Sequence, residues 1–427
     1  YGTWRGTSMA APFATGAVAL LRSLFPAMRP TKLIDHIVNT SKKVASPIPA
    51  RIDIGAALTT SPADTQIPAV VQLNAANYTV DEGAGRVNLT VVRDGDTSTA
   101  VSVNYATGDN AGLQDCNVVN GIASPRCDFS TTVGTLRFGV GERVKTLTIP
   151  LVDDAYIEGN ETLGLALSGA SGANLGSFNA ATIVISDNDA LPASSNPIEQ
   201  VPFFVRQHYI DFLGREPEPQ GYQGWQDTLN NCAPGDTNCD RINVSAAFFR
   251  SAEFQERGYF VYRFYAAALG RLPHFVEFMP DIALVSGFLD SAQLEANKVA
   301  FVGAFMSRPE FKTKYDATAA DPAGYVNALV NTAGVVLPQR QALIDDLMAG
   351  RKTRAQVLRE VAESPEVTVR FFNEGFVVMQ YFGYLRRDPD ILYQDWINTM
   401  NQNRGDYRTM VNGFVNSLEY RKRFGQP

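Results

Sequence analysis

The spacing of apolar residues changes twice along the chain. Near the beginning, apolar residues recur at helical spacing, as in Leu33, Ile34, Ile37 and Val38, and predict amphipathic helices. From about residue 69 the period becomes two, in the stretches 86–93, 101–105, 144–149 and 182–185. Short alternating runs separated by turn residues predict an antiparallel β-sandwich. Beyond about residue 200 the helical period returns.

Two stretches rich in Pro and Ser separate these three patterns. A chain of 427 residues is too long for one core and is expected to form about three domains. We therefore predict domains at residues 1–60, 69–190 and 201–427, joined by linkers at 61–68 and 191–200.

The last of these domains contains an internal repeat. Four glutamates, each two or three residues after a serine, are 57, 56 and 53 residues apart: Glu253, Glu310, Glu366 and Glu419. This regularity predicts a repeated helical unit. A serine followed by an acidic residue is typical of a helix start, so we favour a capping role for these glutamates over a catalytic one.

Charge and cysteine usage narrow the possible chemistry. Residues 61–192 carry fifteen acidic and six basic side chains, within a total net charge of −7, which argues against nucleic acid and suggests a bound cation. The four cysteines form two local pairs, Cys116 with Cys127 and Cys232 with Cys239. Neither has metal-binding spacing, so two disulfides in an oxidising compartment are expected. No apolar stretch is long enough to span a bilayer.

The most specific motif is G-T-S-M-A-A-P at residues 6–12. It places the Ser8 hydroxyl at the start of an apolar helix, where free N–H groups favour negative charge. This stretch, continuing to about Leu58, resembles the serine box of the subtilisin-like proteases (subtilases). The resemblance implies that Ser8 is a nucleophile; the alternative is a capping serine on an ordinary core helix.

A nucleophilic serine needs a histidine base and a carboxylate. In subtilases both precede the serine, as does an oxyanion Asn, and none of these types occurs before Ser8. His36 falls on the predicted polar face of its helix, so we expect a solvated side chain and no catalytic role. We predict a C-terminal part of a longer secreted protease, inactive as it stands without the upstream Asp and His.

The acidic segment resembles the Calx-beta domain over roughly residues 69–190. The matching pieces are Y-T-V-D-E-G at 78–83, L-R-F at 136–138, D-D at 153–154 continuing to Glu161, and I-S-D-N-D at 185–189. The resemblance implies calcium binding, and the alternative is a structural spacer whose acids are merely solvated. The calcium-ligand candidates that it implies are Glu82, Asp109, Asp153, Asp154, Glu158, Glu161, Asp187 and Asp189.

The helical region resembles a bacterial domain of unknown function, number 4214. The matching residues are Y-I-D-F-L-G-R-E-P at 209–217, continuing to Gly221 and Trp225, with Ser251 to Phe254 downstream. Because that domain occurs in secreted and surface-associated proteins, the resemblance implies a cell-surface or extracellular partner.

The complete prediction is a multidomain chain: an α/β subtilase remnant, an all-β immunoglobulin-like sandwich and an all-α helical repeat region. We expect a secreted or cell-surface serine endopeptidase acting on a protein or peptide substrate, with calcium at the sandwich. The alternative is a non-enzymatic, calcium-dependent surface adhesion or attachment protein.

Overall fold

The structure is a computed structural model that describes residues 7–26, 28, 30–43, 51–60, 68–191, 195–287, 290–403 and 406–427. Side chains of the first helix are described from residue 11 onward. The chain forms two compact units, residues 1–68 and residues 69–427. Among the described residues, none of the helices combines the length and apolar character needed to cross a bilayer.

The first unit contains helices α1 (Thr7–Leu24), α2 (Pro30–Thr40) and α3 (Ile54–Thr59). Asp53 caps α3 by accepting a hydrogen bond from the Ala56 N–H. The small core of this first unit consists of Ala17, Leu21, Leu33, Ile37 and Ala57.

The expectation of a solvated His36 was wrong. His36 is only 7 % exposed, and its Nε2 lies 2.9 Å from the carbonyl oxygen of Ala57. Helix α2 buries Leu33, His36 and Ile37 and leaves Ile34 and Val38 exposed. Positions i, i+3 and i+4 share one face of a helix, so the buried stripe is rotated by about one position from the predicted one.

The sandwich has two sheets, and the predicted strands are present in it. The first sheet has the order β6-β3-β1-β8 and the second the order β2-β9-β7-β4-β5. The strands are β1 (Val70–Leu73), β2 (Asn77–Asp81), β3 (Arg86–Asp94), β4 (Val101–Thr107), β5 (Val133–Phe138), β6 (Val144–Pro150), β7 (Glu161–Ser171), β8 (Asn174–Leu175) and β9 (Ala180–Ser186).

Alternating side chains fill the space between the two sheets. Val87, Leu89 and Val91 of β3 are buried, as are Ile183 and Ile185 of β9, as the period of two requires. Strand β2 pairs in parallel with β9, and the other pairs of its sheet are antiparallel. The parallel pairing brings the chain leaving β2 and the chain leaving β9 to the same end of the sandwich.

The rest of the second unit is helical and shares one core. Its helices are α4 (Val201–His208), α5 (Pro219–Asn230), α6 (Arg241–Arg250), α7 (Ala252–Glu256), α8 (Gly258–Phe264), α9 (Phe275–Val285), α10 (Ser291–Met306), α11 (Pro309–Tyr315), α12 (Pro322–Ala333), α13 (Arg340–Met348), α14 (Arg354–Ala362), α15 (Pro365–Arg370), α16 (Phe372–Gln380), α17 (Tyr393–Gln402), α18 (Tyr407–Val415) and α19 (Leu418–Arg421). Val152 of the sandwich packs in the same core. The predicted domain boundary at residues 191–200 stays a prediction.

Three of the four repeats contain the same arginine–glutamate clamp. A π-helical turn ends at a residue with left-handed backbone, and the next residue is an arginine that forms two hydrogen bonds with the repeat glutamate. The three pairs are Arg215 with Glu253, Arg271 with Glu310 and Arg387 with Glu419, at 2.6 to 3.0 Å. Ser251 and Ser417 cap their helices as predicted.

The third repeat lacks this clamp. Its left-handed residue is Gly334, and Val335 stands where the others have an arginine. Glu366 still lies in the first turn of its helix, after the capping Ser364. However, Glu366 Oε2 is buried and finds no hydrogen-bond partner within the described part of the chain. The third repeat thus differs from the others in two features, because an ordinary α-helix precedes its left-handed residue and a valine replaces the arginine.

Candidate metal centre

Four loops carry acidic side chains to one end of the sandwich. Glu82 opens a single 3-10 turn directly after β2, and Asp187 directly follows β9. Because Asp81 pairs with Ser186 and Glu161 pairs with Ile185, the sheet register fixes these loop entries side by side. The loop before β7 and the long loop between β4 and β5 supply the other acids.

The acids form two groups. One contains Glu82, Asp187 and Asp189, and the other contains Asp128, Asp154 and Glu158; within each, one carboxylate oxygen of every member lies within 4.8 Å of the others. Backbone N–H groups join the two groups. The Asp154 N–H donates to Glu82 Oε1 at 3.0 Å, and the Glu158 N–H donates to Asp187 Oδ2 at 2.8 Å.

Asp154 is the most informative member because half of its carboxylate is unsatisfied. The residue is 5 % exposed, and Oδ1 accepts a hydrogen bond of 2.7 Å from the Tyr156 N–H. Oδ2 is buried with no hydrogen-bond donor among the described residues, as is Asp189 Oδ2. A buried acceptor without a partner costs about 1–3 kcal/mol and more when charged, and a cation beside these acids would satisfy both atoms.

The electrostatics of the cluster point in the same direction. Burial, with the charges of neighbouring acids, raises the pKa of Glu82 to about 8 and that of Glu158 to about 9. The pKa of Asp154 is likewise raised by burial and by Glu82 and Glu158. Burial also raises the pKa of Asp128 and of Glu161, which share a hydrogen bond. A divalent cation would reverse these shifts by favouring the charged carboxylates.

Most of the implied ligands lie together. Glu82, Asp154, Glu158, Asp187 and Asp189 belong to the two groups. Glu161 is 4 % exposed beside Asp128, and Asp153 Oδ1 accepts a hydrogen bond of 3.0 Å from Asn188. Whether they bind a metal stays a prediction.

Asp109 does not join them within the described part of the chain. It is exposed, and its Oδ1 accepts a hydrogen bond of 2.9 Å from the Gly112 N–H in its own loop. The β4–β5 loop instead brings in Asp128, which the sequence analysis missed. The available signal was its position next to Cys127, in the acidic segment that also holds Cys116.

The predicted disulfides explain how Asp128 is held. Cys116 bonds Cys127, and Cys232 bonds Cys239. The first bridge and the ring of Tyr156 form a small buried cluster. Asp128 Oδ2 accepts from the Ser124 N–H at 2.5 Å, and the Asp128 N–H donates to the Ser124 carbonyl at 2.9 Å. The turn that ends at Asp128 is therefore held both by the disulfide at Cys127 and by the two hydrogen bonds between Asp128 and Ser124.

Three known families match successive parts of this chain. Residues 64–189 match the family model of the Calx-beta domain. Residues 1–55 match the Subtilase family, and residues 195–258 match a Domain of unknown function (DUF4214). The three matches occur in the order that the sequence analysis predicted, and the multidomain fold class is confirmed.

Two curated proteins are similar to part of this chain. The Drosophila melanogaster "Sodium/calcium exchanger Calx" is 35 % identical over 114 residues, which is 26 % of this chain and 11 % of that protein. The Mus musculus "Extracellular matrix organizing protein FRAS1" is 34 % identical over 121 residues, 27 % of this chain and 3 % of that protein. The chain thus spans a small part of either relative.

Two solved structures are also similar to part of this chain. The crystal structure of the apo-form Calx CBD1 domain is 32 % identical and covers 29 % of this chain and 99 % of its own, with a TM-score of 0.26. The structure of CBD12 from CALX1.2 is 34 % identical and covers 28 % of this chain and 45 % of its own, with a TM-score of 0.25.

The subtilase match includes the predicted nucleophile. Ser8 lies in the first turn of α1, but its side chain is outside the described residues. His36 Nε2 is engaged with the Ala57 carbonyl.

A second serine–histidine contact occurs in the helical core. His208 Nε2 lies 2.8 Å from Ser245 Oγ, and both residues are at most 1 % exposed. Nδ1 faces the Phe204 carbonyl and not a carboxylate, and burial lowers the pKa of His208 to about 4. Because both side chains are buried and His208 Nδ1 is engaged with a backbone carbonyl, this pair is a hydrogen bond of the core.

Proposed function

We propose that the sandwich binds calcium through the loops at its acidic end, with Glu82, Asp128, Asp154, Glu158, Asp187 and Asp189 as ligands. Asp153 and Glu161 complete the set at its margins. The observation that carries the proposal is the buried, unpartnered Asp154 Oδ2 among the described carboxylates. Calcium takes six to eight oxygen ligands in flexible geometry, and two linked groups of three carboxylates suit that requirement. When bound, it supplies positive charge that offsets the repulsion between the acids.

The test is calcium titration by calorimetry, with melting temperatures in calcium and in chelator. We expect the wild type to bind, and Asp154→Asn to weaken binding about ten-fold or more because it removes ligand charge. Asp109→Asn is the matched control, since it changes an exposed acid of the β4–β5 loop; its affinity should stay within about two-fold of the wild type. Equal melting temperatures of the wild type in calcium and in chelator would refute the proposed calcium site.

We further propose that residues 1–60 belong to the catalytic domain of a secreted subtilisin-like serine endopeptidase, with Ser8 as its nucleophile. The match to the Subtilase family supports this proposal. So does the exposure of Phe13, Leu20 and Leu24 on α1, because apolar side chains on one helix suit a larger packed domain. The two disulfides support an extracellular location.

The enzymatic proposal is tested with a fluorophosphonate probe on the protein containing an upstream Asp, His and Asn. Labelling and peptide hydrolysis are expected for the wild type and neither for Ser8→Ala. Hydrolysis that persists in Ser8→Ala would refute the role of Ser8. Complete absence of labelling would favour the non-enzymatic alternative, a calcium-dependent adhesion protein.

A further inference from the structure

Two of the four acidic loops, the β4–β5 loop and the loop before β7, also contact the last residues of the helical region. We define the C-terminal tail as residues 419–426, which include the end of α19. From the first loop, the Arg126 guanidinium donates to Glu419 Oε1 at 3.2 Å, and the Arg126 carbonyl accepts from Arg423 Nε at 2.9 Å. Arg126 is two residues before Asp128 and next to the bridged Cys127. The position of Asp128 and the grip on the tail therefore depend on the same short turn.

The second loop contacts the tail through one side chain. The Tyr156 backbone N–H donates to Asp154 Oδ1 at 2.7 Å. Its hydroxyl donates to the carbonyl oxygens of Lys422 and Gly425, at 3.0 and 2.9 Å. Gly425 has a φ of 148°, and a Cβ there would lie 3.2 Å from the Cβ of Ala155. Tyr156 thus joins a candidate metal carboxylate directly to the tail backbone.

The tail is in turn fixed to the helical core. The Arg423 guanidinium is 1 % exposed and donates to Asp211 and to the carbonyls of Gly383 and Tyr384. Glu419 is the acid of the clamp in the fourth repeat, with Arg387. A change in either acidic loop is therefore passed to groups that the helical region holds rigidly.

We propose that calcium binding at the sandwich and docking of the C-terminal tail are energetically coupled. The proposal rests on the proposed calcium site. A cation held by Asp128, Asp154 and Glu158 ties the β4–β5 loop to the loop before β7; without it this link is missing, and the two loops relax at the expense of the contacts from Arg126 and Tyr156. With calcium, both loops are held in the arrangement that grips the tail. Because coupling is reciprocal, a docked tail raises the calcium affinity by the same factor.

A separate contact keeps the sandwich and the helices together in either state. Arg206 of α4 donates to the carbonyls of Gly85 and Leu151, at 2.6 and 3.0 Å, and pairs with Glu216. Val152 packs in the helical core. The expected effect of calcium is therefore local to the tail and does not separate the two regions.

The first test is amide hydrogen exchange of the full chain in calcium and in chelator. Exchange of the tail amides should slow about five-fold or more in calcium, the lower end of common coupling strengths. Amides of α12, which lies in the third repeat, should exchange at the same rate in both conditions.

The reciprocal test is the calcium affinity of Tyr156→Phe, which keeps the ring against the disulfide and removes the hydroxyl. We expect binding about five-fold weaker or more. Tyr315→Phe is the matched control, because its buried hydroxyl also donates to a backbone carbonyl, that of Ala268 at 2.6 Å. Its calcium affinity should equal that of the wild type.

The outcomes separate this coupling from the calcium site itself. A wild type that binds no calcium overturns both. A wild type that binds calcium, with unchanged affinity in Tyr156→Phe and equal tail exchange in the two conditions, overturns the coupling and leaves the site standing. Should Tyr156→Phe fail to fold, the exchange measurement on the wild type decides alone.

Discussion

Asp211 is the point of the helical region where a single substitution should cost most. Its side chain is fully buried and accepts hydrogen bonds from Arg386 at 2.7 Å and from Arg423 at 3.1 Å, both of them 1 % exposed. Gln207 donates to the same carboxylate at 2.8 Å. Burial opposes its charge, but Arg423 and Arg386 hold the pKa of Asp211 below its ordinary value. Asp211→Asn keeps the shape and leaves two buried guanidinium groups without a counter-charge.

Removing one partner of a buried ion pair costs about 3–5 kcal/mol, and here two cations depend on one carboxylate. We expect the free energy of unfolding to fall by at least this range. At about 2–4 °C per kcal/mol for a region of this size, the melting temperature should fall by roughly 6–20 °C. Urea denaturation followed by circular dichroism and scanning calorimetry give the two quantities.

The control for Asp211→Asn is Asp227→Asn. Asp227 accepts from Gln223 at 2.8 Å with the same four-residue spacing as Gln207 and Asp211, but it is exposed. Its substitution should change stability by less than about 0.5 kcal/mol. We call Asp211, Arg386 and Arg423 the buried triad. If the two variants lose the same stability, or if Asp211→Asn loses less than about 1 kcal/mol, the ion pairs of the buried triad are not a main source of stability.

Two further predictions concern the acids and the clamps. In chelator, the melting temperature of the sandwich should fall as the pH rises from about 5 to 8. In the folded protein Glu82 and Glu158 have pKa values of about 8 and about 9 and keep their protons over this range. In the unfolded chain the same glutamates lose their protons above the ordinary glutamate pKa of about 4.3, so rising pH favours unfolding. Saturating calcium should abolish this fall, and a melting temperature that rises with pH in chelator would contradict the assignment. Glu253→Gln should cost about 1–3 kcal/mol because it weakens the charged hydrogen bonds to the mostly buried Arg215. Glu366→Gln should be nearly neutral in urea denaturation, because Glu366 Oε2 has no partner among the described residues to lose; equal losses would refute the clamp as a source of stability.

The parts of this fold that could be predicted are those governed by local pattern. Alternation along 86–93 is sufficient to place β3, because one face of that strand is buried and the other is not. The same logic failed by one position at His36, where hydrogen bonding to Ala57 allows a polar residue on the buried face. A helical stripe seen in eleven residues leaves such a rotation undetermined.

The candidate site was predictable only where its acids adjoin strands. Glu82, Asp187 and Asp189 are close to β2 and β9, so their proximity follows once those strands pair. Asp128 lies in a long disulfide-bridged loop, whose path depends on the bridge and on packing against Tyr156. The contact of Tyr156 with Gly425 spans 269 positions, and no local pattern carries that information.

The fourth repeat shows how one backbone position takes on a new role. In the first two clamps the left-handed residue is glycine, Gly214 and Gly270, which adopts positive φ without strain. In the fourth it is Arg386, with a φ of 53°, a conformation that costs about 1 kcal/mol or more for a residue with a side chain. That cost is offset only because the guanidinium of Arg386 reaches the buried carboxylate of Asp211 in the first repeat. The same carboxylate holds Arg423, and Arg423 holds the Arg126 turn beside Asp128. A continuous series of contacts thus runs from the strained Arg386 through the buried triad to the sandwich loop. Asp211→Asn should therefore also weaken calcium binding, whereas Glu310→Gln, which removes the charge of a clamp outside this series, should not.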